Sequence, residues 1–264
     1  MGAATLGILT LNVGSPSTSR AERQLGWLQD RPEGIFVLTE TSNGDGSRLL
    51  AERLAGAGWD VRFPEPDPGE RGVLIASRVR LKARGTNMVD YLPSRAETVA
   101  VGDLDVIGLY VPSRDASIEK VERKQRFLAA VSNAIATWPE KNAIAIGDFN
   151  ILEPVHIPRW EFFRDWEYRY YEDLIERGWV DAFRISHPSG MEYSWVSHDN
   201  KGFRFDHVFV TRALEDRVVR CEYVHETRET KITDHSALTI DLISAEIESL
   251  DVEESFARGS LTLF

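Results

Sequence analysis

Cysteine is almost absent from the sequence: Cys221 is the single one. That excludes an intrachain disulfide and any centre built from several thiolates, such as a four-cysteine zinc or iron–sulfur site. Its surroundings, Val-Val-Arg-Cys-Glu-Tyr, read as a strand, so the thiol is expected as a small buried side chain. Long apolar runs are missing too, and none approaches the roughly 18 residues of a membrane-spanning helix. The first residues carry no basic stretch ahead of their apolar run, which argues against a secretion signal and makes the cytoplasm the expected compartment. Positive charge is scarce, with 31 Lys and Arg against 42 Asp and Glu, a formal net charge of −11. A general basic coat for nucleic acid is excluded, although one local site is not.

What is present is an ordinary globular composition, 42% hydrophobic and 28% charged, with 19 Gly and 11 Pro. Neither a repeat nor a convincing linker divides the 264 residues. One domain over 1–264 is expected, with 243–264 as a loosely held tail. Strands are predicted at 7–13, 35–39, 59–63, 72–77, 89–92, 97–101, 104–111, 142–146, 192–197, 205–211, 221–224 and 236–242. Helices are predicted at 19–30, 48–57 and 118–136, with another reaching Leu174 and stopped by Gly178. Strands outnumber long helices, and Ile35-Phe-Val-Leu is continuously apolar, as in a sheet covered on both faces. The expected class is α/β, with two packed mixed sheets flanked by helices.

The informative pattern is where carboxylates and amides fall. Asn12 ends the first strand and Glu40 the second, Asp148 and Asn150 follow Ala143-Ile-Ala-Ile146, Asp206 opens a strand, and Asp234-His235 precedes another. Each polar group emerges where a buried strand meets a loop, so the set can converge at one edge of the core. Oxygen-rich clusters of this kind suit Mg²⁺ or Mn²⁺. His198, His207 and His225 are scattered, and a zinc site is not expected.

Eight short motifs occur in order: Leu9-Thr-Leu-Asn12, Val37-Leu-Thr-Glu40, Gly108-Leu-Tyr-Val-Pro112, Ile146-Gly-Asp-Phe-Asn150, Val180-Asp-Ala-Phe183, Tyr193-Ser-Trp195, Phe203-Arg-Phe-Asp-His-Val-Phe209 and Thr233-Asp-His-Ser236. Together they make the chain resemble the endonuclease/exonuclease/phosphatase superfamily, most nearly its exonuclease III-type nucleases, across almost its whole length. The resemblance implies a four-layer α/β sandwich of the deoxyribonuclease I type and phosphoester hydrolysis by a metal-assisted water. It implies that Glu40 is the principal metal ligand, with Asn12 and Asp234 beside it. Asp148 would orient or deprotonate the attacking water, and Asn150 would hold that carboxylate or the phosphate. His235, paired with Asp206, would stabilise the phosphate's developing charge, and Tyr110 would sit over the phosphate. Trp195 and Arg204 would lie on the substrate side.

The sequence departs from the DNA-repair members after Asn12, where Val-Gly-Ser-Pro follows, and after Glu40, where Thr-Ser-Asn-Gly follows. Both are loops that face the substrate in the family. Basic residues for a nucleic-acid strip are Arg114, Lys120, Arg123 and Lys124, with Arg159, Arg164 and Arg169 in an aromatic segment that could stack on bases. The leading expectation is a Mg²⁺- or Mn²⁺-dependent nuclease acting on DNA, in repair, as a monomer away from membranes. A phosphatase or phosphodiesterase for a small or lipid-derived phosphoester is the second reading, and a non-catalytic binding protein on the same fold the third.

Overall fold

The computed structural model describes residues 5–83, 88–244, 249–253 and 256. In chain order its strands are β1 (Thr5–Asn12), β2 (Ile35–Thr41), β3 (Asp60–Arg62), β4 (Gly72–Ser77), β5 (Lys82–Ala83), β6 (Ala96–Val101), β7 (Leu104–Tyr110), β8 (Ala143–Asp148), β9 (Trp179–Asp181), β10 (Trp195–Val196), β11 (Gly202–Phe203), β12 (Asp206–Thr211), β13 (Val218–Val224) and β14 (Ala237–Ile243). The helices are α1 (Thr18–Leu28), α2 (Asp45–Gly56), α3 (Ile118–Ala134), α4 (Asp165–Glu176), α5 (Ala182–Ser186) and α6 (Glu226–Glu229). Two six-stranded sheets form, in the orders β13-β14-β1-β2-β4-β3 and β5-β6-β7-β8-β12-β9. Each mixes one parallel pair, β1 with β2 and β7 with β8, into antiparallel neighbours.

Strand alternation separates the two faces of each sheet. Ile8, Ile35, Val37 and Ile75 point inward to meet Val99, Val106, Ile144, Ile146 and Val208 of the second sheet in a shared central core. Their neighbours Leu9, Leu11, Phe36 and Leu38 point outward and are covered by Leu25 and Leu28 of α1 and Leu50 and Leu54 of α2. On the far side Ile107, Leu109, Ala145 and Phe209 are covered by Phe127, Leu128 and Val131 of α3 and Leu174 of α4. The continuously apolar strands of the sequence are those buried on both faces. No helix among the described residues is long and apolar enough to cross a membrane.

Two expected strands differ. Residues 89–92 form no strand: Leu92 turns to φ 54° just before Pro93, whose missing N–H could not extend a ladder, and Val89 instead plugs the outer core. Of 192–197 only Trp195–Val196 pairs, with Gly202–Phe203. Of the expected tail, Ser249 bridges Val79, the amides of Leu250 and Glu253 donate to Arg78 and Ala57, and Phe256 packs edge-on to Trp59. Residues 245–248, 254–255 and 257–264 lie outside the described residues.

The parallel β7–β8 pair is tightest at Gly147, which adopts φ 143° with the site of its absent Cβ only 2.1 Å from the Leu109 carbonyl oxygen. A side chain there would drive apart the strand that ends in Asp148. Gly147→Ala should therefore lower stability by at least about 2 kcal/mol. In α1, nothing lies within 4 Å of the corresponding site on Gly26. Gly26→Ala should raise stability by about 0.5–1 kcal/mol, the gain in helix propensity. Urea unfolding of both variants checks the pair, and a Gly147→Ala midpoint equal to the native one would refute the close-approach argument.

Candidate active site

The strand-end residues converge. β1, β2 and the start of β14 reach the same end of the first sheet as the ends of β7 and β8 and the start of β12 do in the second. Antiparallel register sets Asp206 directly opposite Asp148. From the first sheet, Asn12 Nδ2 donates to Asp148 Oδ2 at 2.9 Å. The backbone amide of Asn150 donates to Asp148 Oδ1, also at 2.9 Å. Asn150 holds φ 48°, and its own side-chain amide donates to the Val111 carbonyl. The Asp148 carboxyl is thus fixed at both oxygens.

His235 closes the seam between the sheets. Its Nδ1 donates to Asp206 Oδ2 at 2.7 Å, and both residues are buried. The second residue is anchored in turn, since the Asp206 amide donates to Ser194 Oγ and its carbonyl accepts from Tyr223. Burial alone would drive the imidazole towards neutrality, but the Asp206 carboxylate, its hydrogen bond, and Asp148 and Asp234 outweigh it and push the pKa up to about 10. His235 is therefore an imidazolium at neutral pH. Burial, followed by the facing Asp206 carboxylate, pushes Asp148 up to about 8 against the pull of His235 and the Asn150 amide.

Glu40 reaches the cleft through a bulge. The β2–β4 register shifts between Thr39 and Thr41, and Glu40 takes φ 57°, an unusual backbone for a residue with a side chain. The Ser15 amide fixes its carbonyl at 2.8 Å. The carboxylate is left partly exposed, with Arg71 its nearest cation at 4.0 Å. Burial, together with the Glu40 and Asp148 carboxylates, pushes the Tyr110 phenol up, so it stays neutral. The Arg95 guanidinium stacks on its ring at 4.7 Å.

Asp148, Asp206 and His235 offer ligand atoms all within 4.8 Å of one another and could hold a divalent cation. As the imidazole stands it donates a proton to Asp206, and a protonated nitrogen has no lone pair for a metal. The donor set suits a hard cation on other grounds: Asp206 Oδ1 is buried without a hydrogen-bond partner. Asp234 is exposed beside Glu40 along a second, polar cavity, and its Oδ2 accepts the Trp195 indole N–H at 3.0 Å.

A cavity of about 350 Å³ opens over these groups, lined by Glu40, Tyr110, Asp148, Asn150 and His235 on one side. Trp195, Phe162, Phe163, Phe203 and Phe205 form the other. Of the aromatic segment only Phe162 and Phe163 line this cavity, while Tyr170 and Tyr171 pack in the outer core.

The basic residues are corrected. Arg204 does not face the cleft: it is completely buried, paired with Glu153 at 2.9 Å and Asp181 at 2.6 Å. Lys124 is 1% exposed and donates to the Asn150 carbonyl at 2.5 Å and to Glu167 at 2.6 Å. It is a strut under Asn150, and together with Arg114 it also lines the cavity. Glu167, absent from the sequence reading, also takes Arg114, whose guanidinium faces Phe162. Arg123 is bound to Glu70, Arg159 to Asp165, and Arg169 to Asp173 and Glu176.

Over residues 9–235 the sequence matches the Endonuclease/Exonuclease/phosphatase family. Three solved structures share its fold. A 3′ phosphatase, NExo, from Neisseria, bound to a product DNA hairpin, is 24% identical, covering 90% of this chain and 99% of that one, with a TM-score of 0.79. An AP endonuclease from Archaeoglobus fulgidus is 26% identical, covering 91% and 100%, with a TM-score of 0.78. The 3′-5′ exonuclease NExo from Neisseria meningitidis is 24% identical, covering 90% and 100%, with a TM-score of 0.79. No curated protein matches the sequence.

Two outcomes follow from the geometry. Because the folded pKa of His235 is raised from 6.5 to about 10, its ion pair contributes stability in full below pH 6.5 and loses it as pH climbs through about 10. Asp206→Asn should lower the His235 pKa by at least about two units, read from imidazole ¹⁵N shifts. An unchanged titration would remove Asp206 as the cause. Lys124→Met should destabilise by about 3 kcal/mol, because Glu167 loses a buried partner. Arg123→Met, at a half-exposed pair, should cost less than about 1 kcal/mol. Equal losses in thermal unfolding would contradict the strut.

Proposed function

The chain belongs to the endonuclease/exonuclease/phosphatase family, and from that premise we propose that it is a divalent-metal-dependent phosphodiesterase acting on DNA. The observation that carries this reading is the cleft itself: a fixed Asp148 carboxyl and a buried imidazolium beside a cavity walled by aromatic rings. The same reading takes the architecture as a four-layer sandwich of the deoxyribonuclease I type, one catalytic domain working as a cytoplasmic monomer.

Glu40, with Asn12 and Asp234 beside it, would hold Mg²⁺ or Mn²⁺, which would supply positive charge against the phosphate oxygens and lower the pKa of a bound water. The remaining steps belong to the chain. Asp148 is held by Asn12 and Asn150 so that one oxygen can take the proton of the attacking water. Burial and Asp206 raise its pKa, and a cation nearby would lower it towards the ionised form that can accept the proton. His235 donates from its second nitrogen to a nonbridging phosphate oxygen and offsets the charge that develops there, while Asp206 keeps it protonated and oriented. Neutral Tyr110, held between Glu40 and Arg95, positions the phosphate. The aromatic wall offers stacking to a base or a bare deoxyribose turned out of the strand. The AP endonuclease of Archaeoglobus fulgidus supports a damaged-DNA substrate of this kind.

A small phosphoester is the second reading, favoured by one observation: Arg114, Arg123, Arg159 and Arg169 are already matched by carboxylates. A Mg²⁺-dependent panel of abasic duplex, nicked duplex, single strand, RNA and phosphomonoesters, with EDTA controls, separates the two. DNA should be cleaved and the monoesters turned over poorly. Glu40→Gln should weaken metal binding in calorimetry and remove most hydrolysis. Asp148→Asn should slow single-turnover cleavage by 100-fold or more, on the order expected for a lost base, while equilibrium DNA binding stays near native. Native turnover in Asp148→Asn, or activity in EDTA, would end the proposal.

A further inference from the structure

Two cavities meet at Glu40, and their walls differ in kind. One is the aromatic cleft. The other is a polar trough of about 560 Å³ lined by Gly14, Arg20, Arg228, Lys231, Thr233 and Asp234, with Val196 at its rim. Arg20 stands near the start of α1, where its Nη1 donates to the Gly14 carbonyl at 3.3 Å. Arg228 lies in α6 and donates through Nε to Ser236 Oγ at 3.1 Å. Lys231 follows α6 at φ 58°, with its carbonyl held by Arg23 at 2.9 Å. The three cations are thus rooted on two separate segments that close on one hollow.

Their charge is not neutralised within the chain. Among the described residues Arg20, Arg228 and Lys231 have no carboxylate within 4.0 Å, unlike Arg114, Lys120, Arg123, Lys124, Arg159 and Arg169, each of which has one. In a chain of net charge −11, three unmatched cations around one trough mark a site for an anion. Asp234 and Glu40 also line the trough, and they are the carboxylates that a divalent cation would neutralise.

We propose that this trough is a backbone-binding subsite, in which Arg20, Arg228 and Lys231 take the phosphates of the DNA strand where it leaves the cleft past Glu40. The inference rests on the DNA-directed reading above and adds the direction of the strand. A phosphodiester held at Glu40 and His235 is flanked by a nucleoside on each side, and beyond each nucleoside the strand carries another phosphate. Rings fit the aromatic cleft, and the polyanion fits the trough. The residues Arg114, Arg123, Arg159 and Arg169 each carry a carboxylate partner that offsets their charge, so they attract a phosphate less than the three unmatched cations do.

The test is salt-dependent binding of a short fluorescein-labelled DNA duplex, read by anisotropy. Arg20→Gln with Lys231→Gln should weaken binding on the order of tenfold and flatten the plot of log affinity against log salt by about 2, one unit for each lost phosphate contact. Both residues are exposed, and circular dichroism confirms that the variant is folded. Arg20→Lys with Lys231→Arg keeps the charges and should restore the slope. Arg159→Gln with Arg169→Gln should leave affinity and slope unchanged. An unaltered slope in the first variant, an equal change in the Arg159/Arg169 pair, or a native chain that binds no duplex would overturn the subsite. Mg²⁺-dependent cleavage by the native chain is scored separately. A slope change without cleavage keeps the subsite and removes the proposed activity, and cleavage with an unaltered slope does the reverse.

Discussion

Everything at this site depends on one unfavourable pairing. The β8–β12 register sets Asp148 and Asp206 opposite each other on neighbouring strands, and like charges in that position repel. The pairing is tolerated because His235 arrives from the other sheet carrying a proton. The imidazolium therefore acts twice, neutralising one member of the pair and tying β14 to β12 across the seam. Asn12, from the same first sheet, bonds the other member. The cleft is a junction where neither sheet is complete without a polar group from its partner, so the chemistry sits where the two sheets are held in register.

Buried charge elsewhere serves the same placement. Arg204 lies between Glu153 and Asp181, beneath the start of β12, and Lys124 and Arg114 share Glu167 beneath Asn150. Removing one partner from such a group costs several kcal/mol, whereas an apolar replacement of the whole group can be neutral. Their role is thus better understood as geometry than as stability. Lys124 fixes the carbonyl of a residue held at φ 48°, and the amide of that same residue fixes Asp148.

Much of this was legible in the sequence, and the reason is local. Asn12, Asp148, Asp206 and His235 stand at the ends of apolar strands, and strand ends can be read from the pattern on either side. Glu40 was legible as a residue but not as a bulge, because the register shift that aims it depends on β4, more than thirty residues away. The basic residues were misread for a related reason. A lone Lys or Arg in a helix ordinarily belongs to the surface, and only the position of Glu167, 43 residues beyond Lys124, shows otherwise. Strand 89–92 failed because Pro93 and the turn at Leu92 override a short apolar run.

In the proposed reading, the site's electrostatics favour binding of a cation before a phosphodiester. Glu40 and Asp234 are carboxylates around the two cavities and Asp148 ionises only with difficulty; the cations that line the cleft beside His235, Arg114 and Lys124, are both held by Glu167. At a separation of 4 Å and an effective dielectric of 20, each unmatched charge would repel an incoming phosphate by about 4 kcal/mol. By the same measure the His235 imidazolium attracts the phosphate by a similar amount, so two uncompensated carboxylates outweigh it. A divalent cation held beside Glu40 would reverse the balance, offsetting the carboxylates and lowering the pKa of Asp148 towards the ionised form its proposed role requires. On that reading cation, substrate and base would be linked through one local field, and the register that sets Asp148 opposite Asp206 and raises the Asp148 pKa would equally favour a cation.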